Sequence, residues 1–294
     1  MVGEARVTAL NLSSSSLAGT LSPEIGNLTF LREMDLRKNG FHGMLPQEIG
    51  RLDTLVLRHN SFQGELPVNL TRCIQLNVLD LFSNNITGKI PAELGRLTKL
   101  EILKISQNSY SGNIPASIGN ISSLRLLYLG VNFLTGSIPP ELGSLPNLQD
   151  FSVPDYNLSD TVPSSLYNIS SMSVLSLAVN HFTGPISPEL GTQFPCLTEI
   201  YLGGIDFSGP LPLTLSNASE LVKVDVGYNQ FSGAIPGNFG LLKCLEWLSL
   251  TNNLLAPRRE TILVSFVSLS NCSSLAFLDI SEQHRRISST YGLC

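Results

Sequence analysis

Two adjacent pairs of basic side chains and a phenylalanine stand at matching places in this 294-residue chain. Arg37 and Lys38 are followed after 21 residues by Arg58 and His59, and Phe82 follows Arg58 after 24 residues. If these intervals place the residues side by side, they form a basic patch with an aromatic neighbour. Arginine guanidinium groups bind carboxylates through two parallel hydrogen bonds, so the patch could bind a carboxylate or a peptide.

Two aspartates offer a second interpretation of this patch. Asp35 and Asp80 flank it in the chain and could balance its charge, which would leave a solvated basic surface. Their spacing also argues against catalysis, because residues two strands apart on a rigid parallel sheet are separated by about 10 Å. We therefore expect surface charge here rather than an acid–base pair.

Three tyrosines are a further candidate group, predicted to be exposed on a face that otherwise carries small polar residues. Exposed aromatic rings often anchor binding partners, although strands also favour tyrosine for intrinsic reasons. Both interpretations stay open. Together with two charged residues at matching positions, the candidate ligand-binding residues are Arg37, Lys38, Arg58, His59, Phe82, Lys104, Tyr128, Tyr201, Asp225 and Tyr228.

A repeating frame must position these side chains. It is Leu-x-x-Leu-x-Leu-x-x-Asn, as in Leu76–Asn84, and it predicts a short strand with leucines inward, stacked into a parallel sheet. The last residue of the frame, which we call the ladder position, should bond backbone groups in the turn. Ladder positions fall at Ser15, Asn39, Asn60, Asn84, Asn108, Asn132, Tyr156, Asn180, Ile205, Asn229, Asn253 and Gln283.

The frame is interrupted in several places. Most steps are 24 residues, but the step from Asn39 to Asn60 is only 21. Four ladder positions lack asparagine, and Asp160 replaces a turn glycine. These breaks could bend the solenoid and shape a site, or they could reflect relaxed constraint. The four departing ladder residues are Ser15, Tyr156, Ile205 and Gln283.

A second element follows each ladder position, with the pattern x-[Leu/Ile/Phe]-x-Gly-x-[Ile/Leu]-Pro. In Phe133–Pro139, Gly136 permits a turn conformation that other residues resist, and Pro139 ends strand pairing. The segment after it, such as Glu141–Leu145, predicts a short helical turn on the opposite, convex side. Full helices are not expected.

This Gly-x-Ile-Pro element resembles the plant-type leucine-rich repeat of cell-surface receptor-like kinases and receptor-like proteins. The resemblance runs from about Val7 to Ile280, and Ser268–Leu275 is similar to a repeat of grass defence-type receptor kinases. It implies an α/β fold: a right-handed solenoid of plant-type repeats of about 24 residues, with a parallel sheet on the concave face. We expect a leader at 1–6, a solenoid of about twelve repeats at 7–281, the last incomplete, and an irregular tail at 282–294.

The resemblance also implies a function. Such ectodomains bind a peptide or another protein, often with a co-receptor, and signal through a membrane helix and a cytoplasmic kinase. We expect a non-enzymatic recognition module of cell-surface, defence-signalling type that is truncated, lacking caps, membrane helix and kinase. Two alternatives are a secreted protein similar to polygalacturonase inhibitors and a truncated product without independent function.

Composition excludes several other classes. The net charge is −5 and no basic tract is present, so nucleic acid is not an expected partner. The longest apolar run, Ile262–Leu269, is too short for a membrane span, and the amino terminus shows no signal segment. The four histidines are scattered, without metal-ligand spacing or a nucleophile motif, so neither a metal nor a cofactor is expected.

Two further residue types bear on the cellular compartment. The five cysteines are odd in number and widely spaced, which favours packing in the core over disulfides. The sequons fit a glycosylated extracellular ancestry, although Asn11 is expected on the concave face. The nine predicted glycosylation sites are Asn11, Asn27, Asn69, Asn85, Asn120, Asn157, Asn168, Asn217 and Asn271.

Overall fold

The repeat builds one long parallel sheet and two shorter ones. The computed structural model describes residues 6–154, 157–255 and 267–283. In the twelve-stranded long sheet, each strand pairs with the strand of the next repeat. Its strands are Ala9–Asn11, Glu33–Asp35, Thr54–Val56, Val78–Asp80, Ile102–Lys104, Leu126–Tyr128, Asp150–Ser152, Val174–Ser176, Glu199–Tyr201, Lys223–Asp225, Trp247–Ser249 and Phe277–Asp279.

Each strand of the long sheet is three residues long, and its middle residue points toward the core side. Leu79 is fully buried, whereas Val78 and Asp80 flank it on the opposite face. The register is constant, so that Leu79 aligns with Leu103 of the next strand. A single repeat could not bury these side chains by itself, and stacking therefore supplies the core.

A left-handed residue precedes almost every described ladder position and turns the chain away from the long sheet. His59 and Ser83 have φ angles of 57° and 58°, and Val131 and Val179 both have 57°. β-branched residues adopt this conformation only under constraint. Neighbouring turns must therefore impose it, as when the His59 N–H donates to the Phe82 carbonyl at 2.9 Å.

The ladder asparagines join each repeat to the one before it. The Oδ1 of Asn84 accepts the Phe62 N–H at 3.1 Å, and its Nδ2 donates to the Leu57 and Leu81 carbonyls at 3.1 and 3.0 Å. The predicted role is confirmed, since these bonds satisfy buried backbone groups of two repeats at once. Equivalent bonds occur at Asn39, Asn60, Asn108, Asn132, Asn180, Asn229 and Asn253.

One predicted interruption of this ladder is wrong. The Nε2 of Gln283 donates to the Leu250 carbonyl at 2.9 Å and its Oε1 accepts the Leu255 N–H at 3.2 Å, so the longer amide continues the ladder. Ile205 is buried and supplies no amide group at its ladder position. Ser15 instead donates its backbone N–H to the Asn39 side chain at 3.1 Å. Tyr156 lies outside the described residues.

Two side sheets follow the ladder, and the sequence analysis did not predict them. The first has six strands and the second five, and an isolated bridge between Gly136 and Leu158 lies where they meet. The interruption coincides with the repeat in which Asp160 takes the place of glycine, at φ 73°. The first comprises Ala18–Thr20, Gly40–Met44, Ser61–Glu65, Asn85–Lys89, Ser109–Gly112 and Phe133–Leu134; the second comprises Ser159–Asp160, His181–Pro185, Asp206–Pro210, Gln230–Gly233 and Leu254–Leu255.

Short helices close the repeats on the convex side, as predicted. Most are single turns of 3₁₀ helix that begin directly after the proline of the Gly-x-Ile-Pro element. One four-residue α-helix, Leu190–Gln193, occurs in the repeat with the 25-residue step. The 3₁₀ helices are Pro23–Asn27, Val68–Arg72, Ala92–Arg96, Ala116–Asn120, Pro140–Ser144, Ser164–Asn168, Leu213–Asn217 and Phe239–Leu241.

Tyr110 places a polar hydroxyl group at a core position that is apolar in the other repeats. It occupies the place held by Phe62 and Phe182 in other repeats and is completely buried. Its hydroxyl has no hydrogen-bond partner, and burial raises the pKa of Tyr110 well above its ordinary value. A buried hydroxyl without a partner lowers the stability of the fold.

We expect Asn84→Ala to lower the free energy of unfolding by about 3 kcal/mol, because it strands buried backbone groups of two repeats. Urea unfolding followed by circular dichroism measures this loss. Asn85→Ala removes an exposed amide from the next residue and is the matched control, with an expected change of less than about 0.5 kcal/mol. Equal losses in the two variants would contradict the assigned role.

We expect Tyr110→Phe to raise the free energy of unfolding by about 1 kcal/mol, because it removes an unpaired buried hydroxyl. Tyr128→Phe is the control, since the Tyr128 hydroxyl donates to Asp150 at 2.7 Å and its loss should destabilise the protein. Thermal unfolding measures whether each variant is more or less stable than the unmodified protein. A lower melting temperature for Tyr110→Phe would contradict the packing described above.

Candidate ligand-recognition surface

The solvent side of the long sheet, which we call the strand face, presents two rows of side chains. The first residue of each strand forms the first row and the third residue forms the second row, and the constant register aligns both. Two residues after each strand, the chain presents a further side chain beside these rows. The strand face therefore brings together residues that lie 24 or so positions apart in sequence.

The arginines of the basic patch are paired with the aspartates beside them. Arg37 contacts Asp35 at 2.8 Å, and Arg58 lies 3.8 Å from Asp80 on the adjacent strand. The charge balance that the second interpretation requires is therefore present. The buried Nε of Arg58 has no hydrogen-bond partner among the described residues. A carboxylate ligand would have to compete with these internal pairs, and the binding role of the patch stays a prediction.

Lys38, His59 and Phe82 complete the patch at its edge. Lys38 and His59 are exposed and left-handed, and the His59 ring meets the half-buried Phe82 edge-on, with 5.2 Å between ring centroids. The sequence correctly places these side chains next to each other. Nearby, burial raises the pKa of Asp80, although the Phe82 N–H and the Arg58 charge partly oppose this effect.

Tyr128 and Tyr201 are half-buried and hydrogen-bonded, which differs from the exposure expected for them. The Tyr128 hydroxyl donates to Asp150 at 2.7 Å, and the Lys104 ammonium lies 4.8 Å from the centre of its ring. Desolvation and the bond to Asp150 raise the pKa of Tyr128. The Tyr128 ring is thus held in place on the strand face, and its hydroxyl already has a hydrogen-bond partner.

Tyr201 belongs to a similar cluster of hydrogen-bonded and charged side chains. Its hydroxyl donates to Glu199 at 2.7 Å, and Lys223 lies 3.3 Å from the same carboxylate. Burial, followed by the bond to Glu199, raises the pKa of Tyr201. The repeat frame predicts Tyr201 as a surface residue but neither of its charged partners, which lie in the first row.

Asp225 and Tyr228 lie beyond this cluster, in a region that also contains Gly203 and Gly227. Tyr228 is 60% exposed, as predicted. Asp225 accepts the Gly227 N–H at 3.1 Å, and a Cβ at Gly203 would stand only 3.2 Å from its carboxylate. The backbone of Gly203 is not left-handed, so its conformation does not require glycine. Glycine fits there because a larger residue would crowd the Asp225 carboxylate. The Asp225 side chain is half-buried at this place.

Two groups of residues on the strand face were missed. Trp247 is 41% exposed and stacks on Phe277 with 3.6 Å between ring centroids. Val78, Ile102 and Leu126 form a half-buried apolar stretch on three adjacent strands. All five belong to the first row. The period-two alternation of a strand places that row on the same face as the second row and could have identified them.

The described residues contain no group of histidine, cysteine, aspartate and glutamate side chains able to hold a metal ion. None of the helices within the described ranges has the length and hydropathy of a membrane span. His42, His59 and His181 lie in separate repeats, and His284 is outside the described ranges. The arrangement of the described side chains on the strand face is suited to binding.

The nine sequons are placed mainly on accessible surface. Eight of the asparagines are exposed, and Asn69 is half-buried with its Nδ2 bonded to the Gln47 carbonyl at 3.1 Å. Four of them end 3₁₀ helices on the convex side, at Asn27, Asn120, Asn168 and Asn217. Asn11 lies in the second row of the strand face, as predicted. Glycosylation itself stays a prediction.

The expectation that the cysteines pack in the core is half wrong. Cys73 and Cys272 are buried, and burial raises the pKa of both thiols. Cys196 and Cys244 are exposed, because the position directly before the first leucine of the frame faces solvent. Cys294 lies outside the described residues.

The shortened second step leaves space away from the strand face. Leu52 serves both leucine positions that a full repeat would fill separately, and cavities of about 290 and 220 Å³ border this repeat. Ile49 and Met34 line the larger cavity, and Cys73 lines the smaller one. The missing residues thus loosen the convex side while the long sheet keeps its register.

Comparison with known proteins identifies the repeat. Residues 8–183, more than half of the chain, match the family described as leucine-rich repeat region. The chain belongs to this leucine-rich repeat family. Within the family, a segment of 47 residues is 51% identical to the leucine-rich repeat receptor-like serine/threonine-protein kinase EFR of Arabidopsis thaliana, covering 16% of this chain and 5% of that protein. A second segment of 52 residues is 42% identical to MALE DISCOVERER 2 of the same plant, covering 18% and 8%.

Solved structures of plant receptors share the whole architecture of this leucine-rich repeat chain. A TDR receptor superposes with a TM-score of 0.87 at 30% identity, covering 94% of this chain and 47% of that one. The Arabidopsis receptor kinase HAESA, in complex with the peptide hormone IDA and the co-receptor SERK1, gives 0.85 at 32% identity, covering 94% and 46%. The chain therefore resembles plant receptor ectodomains and spans less than half of the length of these structures.

We expect Asp80→Asn to stabilise the protein at pH 7 and to have no effect at pH 3. Because the pKa of Asp80 is raised in the fold, ionisation costs stability as pH rises through that pKa, whereas below the pKa of the unfolded chain both states are protonated. Asn still accepts the Phe82 N–H. Urea unfolding at the two pH values measures the difference.

Asp279→Asn is the opposite control for this prediction. Bonds from Ser281 lower the pKa of Asp279, so its carboxylate stabilises the fold above the pKa of the unfolded chain and this contribution disappears as pH falls. The variant should therefore be less stable at pH 7 and unchanged at low pH. If Asp80→Asn and Asp279→Asn changed the stability at pH 7 in the same direction, the opposite effects assigned to the two carboxylates would be contradicted.

Proposed function

We propose that this chain is the ligand-recognition part of a plant receptor-like kinase ectodomain and binds a peptide or a short protein segment along its strand face. The observation that carries the proposal is the unbroken register of twelve parallel strands, which presents a surface about 50 Å long. A surface of this kind suits an extended ligand better than a small molecule. The repeat module is expected to comprise residues 7–281.

The structural neighbours support this proposal. RGFR1, solved in complex with RGF2, is described as a plant peptide hormone receptor, and it superposes with a TM-score of 0.80 at 27% identity. HAESA adds a co-receptor to its peptide complex. We extend both features to this chain: it recognises a peptide at the cell surface and offers an edge to a co-receptor, while kinase activity belongs to a separate domain.

The exposed sequons are consistent with this location. Four of their asparagines, on the convex side, would carry glycans away from the strand face, whereas a glycan on Asn11 would lie on that face at its first strand. Tyr228 and Trp247 are the exposed aromatic side chains best placed to anchor a ligand.

A random twelve-residue peptide library displayed on phage tests the proposal when it is selected on the full chain. Hydrogen exchange with a selected peptide should protect segments of the long sheet and leave the 3₁₀ helices unchanged. Tyr228→Asn, which tolerates the left-handed conformation, should weaken binding about tenfold. Protection confined to the convex side would contradict the proposal.

Leu241→Ala is the matched control for the tyrosine variant. Leu241 is 63% exposed at the end of a 3₁₀ helix, so its removal also trims an exposed apolar side chain, but on the opposite side of the repeat. Its affinity for the selected peptide should stay within about twofold of the unmodified chain. An equal loss in both variants would indicate that binding does not use the strand face.

A further inference from the structure

Charge is unevenly distributed along the strand face. Among described residues of the rows and their turns, the first five strands carry four basic and three acidic side chains, whereas the seventh to twelfth strands carry one basic and five acidic side chains. The first group comprises Arg37, Lys38, Arg58 and Lys104 with Glu33, Asp35 and Asp80; the second comprises Lys223 with Asp150, Glu199, Asp225, Asp279 and Glu282.

Internal ion pairs do not remove this asymmetry. In the first group Asp35 and Asp80 are engaged by the two arginines, which leaves Lys38 exposed at the edge. In the second group Lys223 engages Glu199. The remaining carboxylates there accept hydrogen bonds from uncharged donors, such as the Gly227 N–H on Asp225.

Aromatic rings stand at the acidic end. Tyr228 follows Asp225 by three residues, and Trp247 lies on the next strand, opposite Lys223. Carboxylates beside exposed tryptophan and tyrosine rings form a good environment for ammonium and guanidinium groups, which gain from both the charge and the ring faces.

We propose that the ligand is an extended peptide of opposite charge at its two ends, whose lysine- or arginine-bearing end lies over Asp225, Tyr228 and Trp247. Its acidic end lies over Lys38 and Arg58. This inference rests on the proposed function and adds the chemistry and the direction of the ligand. Charge complementarity at both ends selects the peptide and fixes its orientation along the sheet.

The separation of the two ends sets the length of the ligand. Eight strand spacings separate the strand that precedes Lys38 from the strand that contains Asp225, which corresponds to about 38 Å. An extended peptide covers about 3.3 Å per residue, so about twelve residues reach from one end to the other. Shorter peptides would engage one end at a time.

The library selection described above tests this inference through the sequences that it enriches. We expect selected peptides to carry lysine or arginine at one end and aspartate or glutamate at the other. Asp225→Asn, which keeps the acceptor for the Gly227 N–H, should weaken a selected peptide about tenfold. A photo-crosslinker at the basic end should label residues 223–249, and one at the acidic end should label residues 37–59.

Matched controls separate the charge of the strand face from the net charge of the chain. Glu220→Gln removes an exposed carboxylate from the same repeat as Asp225, and Arg96→Gln removes an exposed cation at the end of a 3₁₀ helix. Both should leave affinity within about twofold, whereas Lys38→Gln should weaken binding about threefold.

The outcomes distinguish this inference from the proposed function. Enriched peptides without charge asymmetry, or a basic end that labels residues 37–59, would overturn the inference and leave peptide recognition intact. Equal losses in Asp225→Asn and Glu220→Gln would overturn it as well. A selection that enriches no peptide would overturn the proposed function together with the inference.

Discussion

The bond between a ladder amide and the preceding repeat is the interaction on which the rest of this structure depends. A strand of three residues has too few backbone bonds to define its own position, and the turn after it is buried. The amide of Asn84 solves both problems, because it accepts an N–H from one repeat and donates to carbonyls of two repeats. These bonds reinforce the constant register that aligns the strand face.

The ladder also explains why the repeats tolerate local change. Three residues are missing before Leu55, yet Leu55 still aligns with Met34 and Leu79 in the long sheet. The loss is absorbed on the convex side, where cavities border the short repeat. Loops outside the ladder can vary in length because the ladder bonds do not involve them.

Sequence alone predicted the parts of this architecture that follow from periodicity. Inward leucines, the ladder and the short helical turns each depend on residue type at a fixed interval, and each was confirmed. The continuing ladder at Gln283 was missed because the frame calls for asparagine, whereas the longer glutamine side chain makes the equivalent bonds. The side sheets were missed because their pairing depends on how one repeat stacks on the next.

The candidate site was predicted less completely than the fold. The repeat frame predicts which residues form the second row and the basic patch, and the structure places them on neighbouring strands as expected. The pairing of Tyr128 with Asp150 could not, because it joins the second row to the first row of a neighbouring strand. Exposure of a tyrosine depends on such partners, whose reach is set by rotamers rather than by spacing.

The stacked ring of Trp247 has a consequence for how this molecule can be observed. The chain contains a single tryptophan, and that residue lies on the strand face against Phe277. Its indole emission therefore originates from one known place, half in water and half against a ring. The protein carries a built-in optical probe at one end of its recognition surface, sensitive to whatever displaces water there.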